Sequence, residues 1–255
     1  MINKKHFQDN GERFYETPEG NIPSVTTILS LYDGGKSGVL MGWSVKVMAE
    51  YLQTLADKDG NILIKKEEAF ELFKKAKARH KELKEQAADI GSQTHNLIEV
   101  YIKRQDTKGL LEANPLLEKP FQAFKTWQAT HNFEFIASER QVCSHLLFAG
   151  TLDAIARKDG KLWVIDFKTS NRINENYLWQ IAAYKECAEN GMYYDAEKGW
   201  VESDYIIDGG VGILRLDKLT GEPEFKSYTL LEAVDGLDCF LALNHLWHTK
   251  QKINA

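Results

Sequence analysis

Asp153, Asp166 and Lys168 are the residues of this 255-residue chain whose types and spacing best suit chemistry. They flank Lys158-Asp-Gly-Lys161, and Asp-Gly is a composition favoured by two-residue hairpin turns. With Asp159 and Gly160 in the loop, Lys158 faces Lys161 and Asp153 comes opposite Asp166. Directly opposed residues lie roughly 4.5–5.5 Å apart at Cβ, where two like charges repel and require a compensating cation. Strand alternation puts Lys168 on the face of Asp166 and turns Phe167 the other way. Paired carboxylates are hard oxygen ligands suited to Mg²⁺ or Mn²⁺, and the Phe167 carbonyl offers a further oxygen. Lys168 would stabilise charge on a phosphate or help to deprotonate an attacking water. A bare Asp-x-Lys is common by chance and reads more readily as a structural ion pair. The second aspartate leaves two negative charges facing one positive, which favours the metal.

These residues need elements to position them. Leu162-Trp-Val-Ile-Asp-Phe-Lys168 is apolar at its start and charged at its end, the pattern of a buried strand that opens into a site. The whole stretch from Phe133 to Lys168 reads as strands, and Glu139 on it is either a further acidic residue near the site or a surface glutamate. A helix from about Ile90 to Lys103 places His95 and Glu99 on one face at i and i+4. From spacing alone, His95 reads first as a hydrogen-bonding residue. In the helix from Tyr177 to Asn190, Gln180 and Tyr184 share a face, with packing the competing role for Tyr184.

Elsewhere, Ser24 sits at an N-cap position before Val25-Thr-Thr-Ile-Leu29, and Asp33 to Gly38 reads as a loop. Val39 to Tyr51 has helical periodicity, while Leu117, Phe121, Phe124 and Trp127 form a core stripe on another helix. Gly210 to Leu216 reads as a strand and Leu230 to Lys252 as a closing helix. The pattern is α/β, a small mixed central sheet flanked by helices with an N-terminal helical extension. One domain spans residues 1–255, with a helical arm over about 39–90 and a core over about 91–220.

Composition bounds the reading. Hydrophobic residues at 43% and charged residues at 27% exclude a disordered or fibrous chain. A net charge of −5 excludes a wholesale basic coat but leaves room for a local basic groove. Between Lys65 and Glu85, eight Lys or Arg stand against five Glu, on what reads as a long charged helix. On this stretch alone it reads first as a solvated face, with Lys74, Lys75, Lys77, Arg79 and Lys81 as the alternative, a grip on a polyanion. Cys143, Cys187 and Cys239 are isolated and odd in number, so they read as reduced, buried thiols. No apolar run approaches the roughly 20 residues that span a bilayer, and the opening residues are polar where a signal peptide would be hydrophobic, so a cytoplasmic protein with no membrane partner is expected.

Gly150-Thr-Leu-Asp153 followed by Ile165-Asp-Phe-Lys-Thr-Ser170 resembles the PD-(D/E)XK (restriction-endonuclease-like) nuclease core in its RecB-like form. Gly91-Ser-Gln-Thr-His95 resembles that group's Gly-x-x-x-His motif, and Gln180-Ile-Ala-Ala-Tyr184 its Gln-x-x-x-Tyr motif. Ile22-Pro-Ser-Val-Thr-Thr-Ile-Leu29, with a helix containing Trp43, is similar to the N-terminal segment of mitochondrial genome maintenance exonucleases and related phage nucleases. The resemblance implies metal ligation by His95, Asp153 and Asp166, catalysis by Lys168, contacts from Gln180 and Tyr184, and exonuclease action on single-stranded or end-containing DNA. It implies a role in replication, recombination or repair in a bacterial or phage-infected cell, alongside a replication or recombination protein. Members with an iron–sulfur cluster need four placed cysteines, so no such cluster is expected. The alternatives are a catalytically silent DNA-binding module of the same fold, and a structure- or sequence-specific endonuclease.

Overall fold

The structure is a computed structural model that describes residues 5–7 and 11–254, so most of the polar opening stretch lies outside the described residues. The chain begins with strands β1 (Lys5–Phe7), β2 (Arg13–Thr17) and β3 (Gly20–Pro23). Helices α1 (Val25–Leu29), α2 (Lys36–Gln53), α3 (Lys66–Ile102) and α4 (Lys108–Ala113) follow, then α5 (Glu118–His131) after a 3-10 turn at Pro115–Leu117. Strands β4 (Glu134–Ser144), β5 (Phe148–Lys158) and β6 (Lys161–Lys168) lead into α6 (Asn176–Asn190). Strands β7 (Gly191–Asp195), β8 (Gly199–Glu202), β9 (Gly210–Leu216) and β10 (Pro223–Tyr228) precede α7 (Leu230–Asn254). Two compact units result: Asp33–Ser92, and Met1–Tyr32 with Gln93–Ala255. No helix of the described residues is long and apolar enough to cross a membrane.

The mixed sheet has seven strands in the order β10-β9-β6-β5-β4-β7-β8, and β1-β2-β3 form a separate three-stranded sheet. Among the described residues, only β6 and β9 pair in parallel within the seven-stranded sheet. A parallel pair needs a long crossover, here supplied by α6 and the β7–β8 hairpin. The β5–β6 turn forms as its residues dictate, with Asp159 and Gly160 both at positive φ (51° and 80°), the backbone of a type I′ turn. Ser24 caps α1, its hydroxyl accepting the Thr27 N–H at 3.0 Å. On α5, Phe121, Phe124 and Trp127 are buried, and Phe124 packs edge-on against Phe167 with centroids 5.6 Å apart. Burying such a ring contributes about 1.5–3 kcal/mol, so this packing fixes the rotation of the β6 end that carries Asp166 and Lys168.

Three expectations change. The Asp33–Gly38 loop ends early, because α2 starts at Lys36 and Asp33 Oδ1 accepts the Ser37 N–H at 3.0 Å in its first turn. The charged helix and the His95 helix are one element, α3, which runs through Gly91 without a break. A single glycine costs a helix only about 1 kcal/mol, too little to end one flanked by good helix formers. Cys239 is exposed, whereas Cys143 and Cys187 are buried as expected. Burial pushes the Cys143 thiol up to about 12 and raises the Cys187 thiol well above its ordinary value. In the native protein one thiol should therefore react rapidly with a disulfide reagent and the other two only after denaturation. Three fast equivalents in native buffer would contradict this packing.

Candidate active site

The β5–β6 ladder follows the register set by its turn from Lys158↔Lys161 to Ala154↔Ile165 and stops one pair short of the two aspartates. Beyond it, Asp153 Oδ2 accepts the Phe167 N–H at 2.6 Å, satisfying a buried donor with a side chain. β6 continues against β9, with Asp166 beside Ile213 and Lys168 beside Arg215. The strands thus part where their charged residues begin. Asp166 is 1% exposed; its Oδ2 faces the Lys168 ammonium at 2.5 Å, while Oδ1 has no hydrogen-bond partner. The Lys168 ammonium also lies 5.0 Å from the centre of the Tyr177 ring on α6, a cation–π contact that restrains it from the far side.

His95 reaches the same point from the C-terminal part of α3. Its Nδ1 lies 3.3 Å from Asp153 Oδ1 and 3.4 Å from Glu139 Oε1. One ligand atom from each of His95, Glu139 and Asp153 lies within 4.8 Å of the others, a spacing that suits a shared cation. Glu139 takes φ 47° in the middle of β4, a left-handed backbone that costs a non-glycine residue roughly 1–2 kcal/mol. Its side chain, left open between site and surface by the sequence, is half-buried and aimed at His95.

The electrostatics record a surplus of negative charge. Burial and the nearby Asp153 carboxylate push Asp166 up to about 6, against the opposing pull of Lys168. Burial likewise raises Glu139, although His95 pulls the other way. Burial opposes charge on His95 and Lys168, yet the surrounding carboxylates outweigh it, raising Lys168 and holding His95 at about 10. Asp153, pressed up by burial, is held low overall by His95 first and then by Lys168. Three carboxylates against one imidazolium and one ammonium, with a buried carboxylate oxygen unpartnered, are a donor set that fits a divalent metal.

Gln180 and Tyr184 stand behind this cluster. Both are buried, and the Gln180 amide donates to the Tyr184 hydroxyl at 3.3 Å. The Tyr184 ring lies over Gly150 so closely that a Cβ there would come within 2.5 Å of it. That contact gives a physical reason for glycine three residues before Asp153. Gly150→Ala should destabilise the fold by about 1–3 kcal/mol through overpacking, seen as a lower melting temperature. An unchanged melting temperature would show that the ring can move aside. Of the lysines and arginine singled out on α3, all belong to the 33–92 unit; Arg79 is tied to Glu82 at 2.7 Å.

A profile of the PD-(D/E)XK nuclease superfamily matches residues 69–253, a span that includes His95, Glu139, Asp153, Asp166 and Lys168. The chain belongs to the PD-(D/E)XK nuclease superfamily. Comparison with curated proteins gives no match. The seven-stranded mixed sheet flanked by helices is consistent with a PD-(D/E)XK core. That membership suggests metal-dependent nuclease activity, the hydrolysis of phosphodiesters, and implies DNA as the substrate class.

Proposed function

We propose that this nuclease is a Mg²⁺- or Mn²⁺-dependent DNA exonuclease of the RecB-like group, similar to mitochondrial genome maintenance exonucleases and related phage nucleases. It acts on single-stranded DNA or DNA with free ends, in replication, recombination or repair, in the cytoplasm of a bacterial or phage-infected cell and beside a replication or recombination protein. The observation that carries the catalytic part is the buried, partly unpartnered Asp166 carboxylate facing Lys168 at 2.5 Å, beside the His95–Glu139–Asp153 cluster.

In this reading Asp153, Asp166, His95 and the Phe167 carbonyl would hold the metal, with Glu139 as an additional ligand. The bound ion supplies positive charge to the phosphate and lowers the pKa of water. Lys168 donates to the phosphate oxygen on which negative charge grows, and Asp166 and Tyr177 keep its ammonium aimed. Water attacks phosphorus and gives up a proton to solvent as the new P–O bond forms, the P–O3′ bond breaks, and the 3′ oxygen takes a proton from solvent, leaving a 3′-hydroxyl and a 5′-phosphate. Gln180 and Tyr184 support the site from α6, and Lys74, Lys77 and Lys81 supply backbone contacts.

Incubation with end-labelled linear and circular single strands, in Mg²⁺ or in EDTA, tests the reading. Degradation of the linear strand alone, in Mg²⁺ alone, is expected. Cutting of circles would make the protein an endonuclease, and binding without cleavage of either would make it a silent DNA-binding module.

A further inference from the structure

We infer that the exposed face of α3 within the 33–92 unit is a stacking surface for single-stranded nucleic acid, with Phe70 and Phe73 as the base platforms. At about 3.6 residues per turn, Lys66, Phe70, Phe73, Lys74, Lys77, Lys81 and Lys84 fall within about 100° of arc on the continuous helix. Phe70 is 75% exposed and Phe73 48% exposed. Two large aromatic rings one turn apart on a water-facing helix surface need a partner to cover them, since each leaves apolar area in water.

The surrounding charge selects the partner. Lysines precede the rings, sit between them and the rest of the helix, and continue for nearly three turns beyond, while Glu67, Glu71, Glu82 and Glu85 fall outside the stripe. Those carboxylates hold the lysines only weakly: Lys74 lies 3.7 Å from Glu71 and Lys81 3.9 Å from Glu85, both pairs exposed. Such pairs are worth about 0–1 kcal/mol and give way readily to a phosphate. The buried side of the helix, around Leu72, Ala76 and Leu83, lies away from the stripe, so the surface is not spent on the fold.

A second copy of the chain would set lysine against lysine on this face. A duplex would satisfy the lysines but has no unstacked base to offer the rings. A single strand supplies both a polyanion and free π-faces, which is the combination that sequence-tolerant single-strand surfaces use. The stripe also sorts the basic residues of the helix, since Lys75 and Arg79 point away from Phe70 and Arg79 is half-buried. This inference rests on the nucleic-acid reading above and narrows its substrate to single strands.

The test is fluorescence anisotropy of labelled dT20 with the full chain in EDTA across a salt series. Phe70→Ala with Phe73→Ala should weaken binding about 30-fold or more, with the salt slope unchanged. Lys74→Gln, Lys77→Gln and Lys81→Gln together should flatten the slope by about 0.7 per lost contact, whereas Lys75→Gln should not. Phe70→Trp with Phe73→Trp should restore binding, which separates stacking from damage to the helix. If the double alanine variant binds dT20 as tightly as the wild type, the inference is overturned. It is overturned equally if the only effect of that variant is to abolish a concentration-dependent dimer of the wild type. Turnover of thymidine 5′-(p-nitrophenyl) phosphate by the wild type with Mn²⁺ reports hydrolysis without a strand to grip. Absence of that turnover alongside normal dT20 effects would count against the hydrolase reading and leave the stacking surface standing.

Discussion

Lys168→Ala should lower metal-dependent DNA cleavage by about 10³-fold while Mn²⁺ still binds, and Asp166→Ala should lower it as far and lose Mn²⁺ affinity as well. The magnitude for Lys168 is that of removing one preorganised donor from a site that excludes water. Its ammonium is held between Asp166 at 2.5 Å and the Tyr177 ring, so little reorganisation is needed when charge develops on the substrate. Asp166 differs because it is itself a ligand candidate: its Oδ1 is buried and unpartnered, and Asp153 and burial already push its pKa up to about 6. Removing that carboxylate relieves repulsion with Asp153 and with phosphate, so DNA binding should persist or tighten. Titration calorimetry with Mn²⁺ separates the two roles. An Asp166→Ala protein that binds the ion as well as the wild type does would remove Asp166 from the ligand set.

Why the aspartate pair is legible in the sequence and Glu139 is not comes down to turns. Asp159-Gly160 encodes its own geometry, and that local signal fixes the β5–β6 register without knowledge of anything else. The link between β4 and β5 has no such marker, for its residues are His145, Leu146 and Leu147, with Leu147 at φ 67° where a glycine or asparagine would have announced the bend. Without that register, nothing in the sequence puts Glu139 opposite Asp153. The irregularity between Phe135 and Ala137 and the strained Glu139 backbone hide it further. Strands β7, β8 and β10, the last two at the sheet edges, escape a sequence reading because they are short and lack a clean apolar alternation, and their stability comes from neighbours in the sheet. Gly150 is visible as part of a motif, but its physical reason, the Tyr184 ring above it, is a long-range contact.

His95 carries the last prediction, because its surroundings make opposite demands with and without metal. In EDTA its ring lies between Asp153 and Glu139, which hold its pKa at about 10 despite burial. A group raised in the folded state stabilises the fold fully below its unfolded value, near 6.5, and stops doing so as pH climbs through about 10. The wild type in EDTA should therefore lose melting temperature between those limits more steeply than His95→Ala does. The difference should be modest, since a quarter of the His95 side chain remains open to solvent. Ligation demands the reverse, a neutral ring, so Mn²⁺ binding must expel the proton that the carboxylates retain. Affinity should rise with pH over the same window. Calorimetry in two buffers of different ionisation enthalpy should register close to one proton released by the wild type and fewer by His95→Ala. Cleavage should fall by more than the roughly 10–100-fold typical of losing a residue that only orients a ligand. A packing histidine behaves otherwise: its loss lowers the melting temperature, while cleavage per folded molecule, Mn²⁺ affinity and proton count stay as they were. That outcome would take His95 out of the site and leave the metal to the carboxylates alone.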